Sequence, residues 1–223
     1  FDTLTKAKNC VLLFLMTDTT TKSRPNSSAN LTRARLLRAA IDLFQARGYH
    51  AVGISEILAK ANAPKGVLYY HFPGGKDELG AAAVEMISRQ VDARLEADRA
   101  AEKAIAQTLR GIAQESGKWL EAGGFVRGPL LSVIAQVSVE DAPLTANATR
   151  QAYSRWVQHI FQQLEAEGAP TSTARPLSEL ALSALEGGMT LARARRTRAP
   201  LEQAVDTAGR LIEAAVSRPN RAR

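Results

Sequence analysis

The chain has 223 residues, 45% apolar and 23% charged, an ordinary balance for a soluble globular protein of one large or two modest domains. Its formal net charge of +7 favours a polyanionic partner, and its single cysteine, Cys10, excludes an intrachain disulfide and a cysteine-cluster zinc site. No apolar run approaches the roughly 20 residues a membrane helix needs, so a cytoplasmic protein that makes no membrane contact is expected.

Aromatics make up only 5% while alanine, leucine, arginine, glutamate and glutamine dominate, which favours helix over sheet. Residues 10–16 (CVLLFLM) follow Lys6 and Lys8 like a signal-peptide core, but polar residues 17–22 follow instead of a small-residue cleavage site. Met16 reads as the natural start, leaving residues 1–15 as upstream sequence. Residues 1–30 as a whole read as a disordered arm, its Lys22 and Arg24 solvated or touching phosphate.

Thr32 is the expected N-cap of the first helix and Gly48 its stop, with Leu37, Ala40, Ile41 and Phe44 on one apolar face. Arg33, Arg35 and Arg38 crowd the start of this helix, against the macrodipole, which a nearby phosphate would relieve. After a connector at 49–53, a short helix over 54–61 is capped by Ser55, carries Glu56 in its first turn and turns Ile57, Leu58 and Ala61 inward. Asn62 suits a left-handed turn, and Pro64 suits the first position of the next helix. In that helix Val67, Leu68 and Phe72 form core, leaving Lys65, Tyr69 and Tyr70 to project partly outward, Tyr69 as readily core as contact, until Pro73-Gly74-Gly75 ends it. Two short helices, the second bearing basic and hydroxylated aromatic side chains, form the pattern of a helix-turn-helix DNA reader.

Lys76-Asp77-Glu78 opens a long helix to about residue 100, with Leu79, Ala83, Met86, Ile87, Val91 and Leu95 as its buried stripe. Further helices are expected near 102–122, 128–139, 143–168, 174–196 and 200–217, broken at glycine- and proline-containing turns, so the fold class is all-α. Leu177, Leu180, Ala181, Ala184, Leu185, Gly188 and Leu191 recur at helical spacing, and Leu201, Val205, Ala208, Leu211, Ile212 and Ala215 repeat the pattern. These stripes suit a dimer interface or an intramolecular helix pair. Trp119, Phe125, Trp156, Phe161 and Met189, with Gln136 and His159 as polar members, could line an apolar ligand cavity or simply fill a core.

At Lys65-Gly66-Val67-Leu68-Tyr69-Tyr70-His71-Phe72, followed by Lys76-Asp77-Glu78-Leu79, the chain resembles the TetR/AcrR family of transcriptional repressors. The run from Arg35 to Phe44, with Arg47-Gly48-Tyr49, matches the family's first helix, and the likeness covers residues 31–84. Pro73-Gly74-Gly75-Lys76 resembles the multidrug- and flavonoid-responsive branch, as do, more loosely, residues 128–139, Trp156 and Leu185-Glu186-Gly187-Gly188. Pro129-Leu130 stands where that branch often has a cysteine motif, so ligand preference is not carried across.

The resemblance implies a DNA-binding domain over 31–76, a ligand-binding and dimerisation domain over 77–217 and a tail at 218–223. It implies DNA contacts from Lys65, Gly66, Tyr69, Tyr70, His71 and Lys76, with Ser55 beside them, and a homodimer on a palindromic operator released by a small apolar effector. No cofactor or metal is expected. A sequence-independent architectural DNA protein, or a ligand-binding module without operator specificity, are the rival readings. An enzyme is the poorest, because His50, His71 and His159 are scattered and no nucleophile elbow, phosphate loop or metal spacing accompanies them.

Overall fold

The computed structural model describes residues 28–137 and 139–217, so the expected start at Met16, the arm before residue 28 and the tail at 218–223 lie outside it. The described residues are all-α, with helices α1 (Ser28–Arg47), α2 (Ile54–Ala61), α3 (Lys65–His71), α4 (Gly75–Ala100), α5 (Ile105–Ala122), α6 (Leu130–Ile134), α7 (Pro143–Ala166), α8 (Thr171–Arg195) and α9 (Ala199–Val216). They fall into two compact units. One holds the chain up to Gln90 with Leu130–Arg150, the other Val91–Pro129 with the chain from Gln151.

In the first unit α1 supplies a continuous buried face of Leu36, Leu37, Ala40, Ile41 and Phe44, onto which Ile57, Leu68 and Phe72 close. Each such side chain contributes on the order of 1.5–3 kcal/mol by leaving water. The helix ends at Gly48, whose φ of +82° is open to glycine at little cost. It begins at Ser28 rather than at a cap on Thr32, because residues 28–31 contain no breaker. The Thr32 hydroxyl instead accepts a 3.2 Å bond from Arg35. Ser55 likewise is not a cap. Gly53 holds that position, and the Glu56 carboxylate reaches back to accept the Gly53 N–H at 3.1 Å, half of a capping box. Pro64 sits one place earlier than expected, as the N-cap of α3.

A polar knot joins three elements of this unit. Asp77, in the first turn of α4, accepts the N–H groups of Leu144 (3.0 Å) and Thr145 (2.8 Å) at the start of α7, and its own carbonyl accepts the Thr145 hydroxyl at 2.8 Å. Tyr49, just beyond α1, packs on the same spot. A Cβ at Gly80 would lie 2.5 Å from Thr145 Oγ1 and 2.9 Å from the Tyr49 ring. The helix expected over 128–139 shrinks to Leu130–Ile134. After the buried Leu130, Leu131 and Ile134 only Val137 is buried, too little to hold a second turn.

In the second unit Ile105, Leu109, Leu120, Ile160, Leu164, Leu185, Leu201, Val205 and Ile212 build the core. α8 and α9 cross closely where a Cβ on Gly188 would come within 2.9 Å of Leu201 Cα. Asp98 closes the α4–α5 turn, buried between Arg94 (2.8 Å) and Lys103 (2.7 Å). Burial raises its carboxyl pKa, but the two cations outweigh that and hold it below the usual range.

Replacing Gly80 by alanine should destabilise the protein by about 1–3 kcal/mol, since its new methyl overlaps two packed side chains. Denaturant unfolding of Gly80→Ala, Thr145→Ala and the double variant checks this. The double should cost less than the sum, because truncating Thr145 removes the closest clash.

Candidate nucleic-acid interface

α3 is seven residues long and its two faces are set by i, i+4 spacing. Leu68 and Phe72 point into the core, Gly66 and Tyr70 lie on the far side from Leu68, and Lys65 and Tyr69 are exposed on the flank between. Tyr70 is 77% exposed and Tyr69 42%, and a hydroxylated ring left this far in water gains nothing from burial at home. Tyr69 is partly held by the turn below it, its ring 3.6 Å from where a Cβ on Gly75 would stand. Gly66 has open space around its missing Cβ. His71 is half-buried, its ring edge-on to Tyr70 at 5.0 Å.

The charges around this face are sorted by the helices behind it. Arg47 at the end of α1 pairs with Glu56 on α2 and also donates to the Ala51 carbonyl at 2.9 Å, while Lys60 pairs with Asp42 at 3.4 Å. These acids are thereby neutralised, and Lys65 makes no ion pair among the described residues. The Arg33 guanidinium lies over the Phe72 ring, 5.1 Å from its centroid, tying the basic start of α1 to the end of α3. Lys76 is not a free surface cation. Its ammonium stacks on the Tyr49 ring at 4.3 Å, and burial lowers its pKa. Burial raises the Tyr49 phenol, a bond with Thr145 offsets part of that, and the Asp77 charge adds to the rise. Ser55 is exposed on α2.

The expected ligand residues are not one group. Trp119, Phe125, Phe161 and Met189 join a single apolar cluster of the second unit, with Arg175 over the Phe161 ring at 4.7 Å. Trp156 is separately tied, its indole N–H donating to Asp92 at 3.0 Å and its ring edge-on to Tyr153, whose hydroxyl meets Glu186 at 3.0 Å. His159 is half-buried on the same helix. Gln136 is exposed and belongs to the first unit, so the structure does not bring it to the others. Of the expected interface residues, Leu185, Gly188, Leu201, Val205, Ala208 and Ile212 are buried inside their own chain. Leu177 and Ala184 are half-buried, and Leu180, Leu191 and Leu211 are exposed.

Sequence reasoning missed Tyr49 as the seat of Lys76 and Thr145 as the partner of Asp77. The aromatic after Gly48 was a visible signal for the first. The second joins residues 68 apart and carried none.

Residues 36–85 match the family model described as bacterial regulatory proteins, tetR family, and residues 101–207 that of the C-terminal domain of LmrA/YxaF-like transcriptional regulators. The HTH-type transcriptional regulator LmrA of Bacillus subtilis is 30% identical over 171 residues, 76% of this chain and 90% of that protein. The uncharacterized HTH-type regulator Rv0196 of Mycobacterium tuberculosis is 33% identical over 176 residues, covering 76% and 88%. Among solved structures, a regulatory protein TetR from Rhodobacter sphaeroides superposes with a TM-score of 0.71 at 25% identity, over 81% of this chain and 98% of that one.

The Gly53 N–H bond first, and Arg47 second, hold the Glu56 carboxyl below its ordinary pKa. Its contribution to stability is therefore present above the unfolded carboxylate value and is lost as pH falls through the lower folded value. In Arg47→Ala the Glu56 pKa should rise only part of the way back, since the backbone bond survives. Carboxyl NMR titration of both proteins checks this.

Proposed function

The chain belongs to the TetR family of bacterial transcriptional regulators, and from that premise we propose that it is a repressor that grips a palindromic operator as a homodimer and lets go when an effector binds. Membership places it among DNA-binding regulators rather than enzymes. The observation that carries the finer reading is the outward face of α3, where Lys65, Gly66, Tyr69 and Tyr70 stand together with no acidic side chain among them.

The chemistry of that face suits a duplex. Lys65 and the bare backbone at Gly66 can approach a guanine edge or a phosphate, the tyrosines offer hydroxyls to phosphate and rings to a thymine methyl, and His71 and Lys76 anchor backbone. Residues 31–76 then read DNA, and residues 77–217 bind effector and partner. The partner face is the exposed side of α8 and α9, built on Leu177, Leu180, Ala184, Leu191 and Leu211. The apolar cluster around Phe161 and Met189 takes a small apolar effector, in keeping with the multidrug- and flavonoid-responsive branch that residues 73–76 resemble. Effector binding shifts the population toward a state whose two α3 helices no longer span major grooves roughly 34–36 Å apart. No described helix is long and apolar enough to cross a membrane, and the protein acts in the cytoplasm where its operator lies.

Selection of bound sites from random duplex DNA, with and without apolar compounds, tests this reading. A palindrome lost on adding effector is expected; absence of enrichment would favour a sequence-independent architectural protein. Two substitutions separate reading from folding. Gly66→Ala meets open space and improves helix propensity, so stability should rise by about 0.5–1 kcal/mol while operator affinity falls. Lys65→Ala should cost roughly 1–3 kcal/mol of binding and blur operator preference, whereas Lys76→Ala should weaken all duplexes alike and lower the salt slope by about 1.

A further inference from the structure

The turn joining α8 to α9 carries Arg193, Arg195, Arg196 and Arg198 within six residues. One or two cations satisfy the dipole at a helix C-terminus, and α8 already has Arg193 and Arg195 in its last turn. Arg196 then caps the helix in the left-handed region (φ 51°), and Arg198 precedes α9. Over residues 91–129 and 151–217 the acids and bases are equal in number, so this turn is a local concentration of positive charge in an otherwise balanced unit.

Part of the cluster is built in. Arg193 donates to the Val126 carbonyl at 3.1 Å. The Arg198 stem lies over Gly117, its Cδ 3.1 Å from where a Cβ would be, and its head reaches Glu121 (3.4 Å) and Glu202 (3.7 Å). Arg195 and Arg196 are exposed and make no ion pair among the described residues, and Lys118 stands exposed beside Gly117.

We propose that this turn is a second, sequence-independent surface for duplex DNA, holding phosphates through Arg195 and Arg196. The proposal rests on the reading of α3 as a DNA reader. Guanidinium forks pair with phosphate in two-point geometry, and several on an open turn match a repeating line of charge better than a single anion, which needs an enclosed site. The residues between the arginines are Ala194 and Thr197, and Ala199 follows them, so they offer no large apolar anchor for a lipid surface. Leu191, one turn back, is committed to the partner face.

The test measures affinity of the full chain against salt concentration, on random-sequence duplex and on the selected operator. Arg195→Ala/Arg196→Ala should lower the slope of log K against log[salt] by about 1–2 on random duplex, and Arg195→Lys/Arg196→Lys should restore it. The operator sequence preferred should not change. Lys65→Ala/Tyr70→Ala should keep weak, salt-dependent binding to random duplex that is lost when the two arginine changes are added. An unchanged slope, or complete loss of duplex binding in Lys65→Ala/Tyr70→Ala, overturns the proposal while leaving the α3 reading intact. Conversely, absence of any preferred operator together with a slope that still falls in the arginine variant would sink the α3 reading and keep this one. Arginine-dependent binding to phosphatidylserine vesicles with unchanged DNA slopes would assign the turn to membrane and overturn it too.

Discussion

The Asp77 carboxylate is the interaction on which the reading end of this protein depends. It sits two residues after the glycine turn that closes α3, yet it satisfies two of the first N–H groups of α7, some 67 residues away. A carboxylate at a helix N-terminus contributes roughly 1 kcal/mol through its hydrogen bonds and the dipole together. Its structural consequence is larger than that figure. Gly80 leaves no room between Thr145 and Tyr49, so α4, α7 and the end of α1 are locked in one register. Lys76, the neighbour of Asp77, is drawn onto the Tyr49 ring by the same packing. Any shift of the first turn of α7 must therefore move the first turn of α4, directly below α3. α7 is also the helix that carries Tyr153, Trp156, His159 and Phe161 further along its length.

A seven-residue helix is far too short to be stable alone, so α3 exists because other elements hold it. Leu68 and Phe72 give it core contacts, Pro64 fixes its entry, and Gly75 lets the chain turn under Tyr69. The ion pairs of α1 and α2 then remove acids from the surroundings of Lys65 by engaging Asp42 and Glu56. What remains outward is a lysine, a bare glycine and two tyrosines. Tyr69 packs on the Gly75 turn, but Lys65, Gly66 and the ring of Tyr70 stand largely in water, which leaves them open to a ligand.

The reader was legible in the sequence because its determinants are local. Asn62 takes the left-handed conformation its residue type favours (φ 47°), Gly48 takes the positive φ expected of it, and the apolar spacing of α1 foretells its buried face. What sequence could not show depends on contacts between distant segments. Glu56 displaced Ser55 from capping by reaching back three residues, and Asp77 found Thr145 only in the folded chain. The run at 128–139 had helical composition, but among the described residues after Ile134 only Val137 finds a buried place, too little to hold a second turn. The stripes on α8 and α9 show a further limit. Small and apolar residues at helical spacing announce a close helix partner without saying whether it is the next helix of the same chain or another copy. Gly188 against Leu201 gives half of that answer, because these two belong to the intramolecular pair.

The other half lies on the flank of α8, about 100° round the helix from the buried face. Residues 181, 185, 188 and 192 face inward, while Leu180 and Leu191, eleven residues apart, fall within about 20° of each other around the helix and remain exposed. Leu211 on α9 is exposed as well, so large apolar side chains stand in water on both helices. A monomer has no reason to leave them there together. Reading DNA supplies one. A single α3 offers only about four outward side chains, each good base contact is worth about 1–3 kcal/mol, and an operator must be told from random duplex by roughly 10³ or more. Three side-chain contacts at those values sum to about 3–9 kcal/mol against the roughly 4 kcal/mol that ratio needs, so one copy reaches it only when most of its contacts are good, and two copies joined through α8 and α9 would double the reading surface. Pairing would also bring a second arginine-rich turn to the same DNA molecule. In the proposed reading the arginines would add affinity without discrimination, which would leave specificity to Lys65, Gly66 and the tyrosines and to the spacing a dimer sets between them.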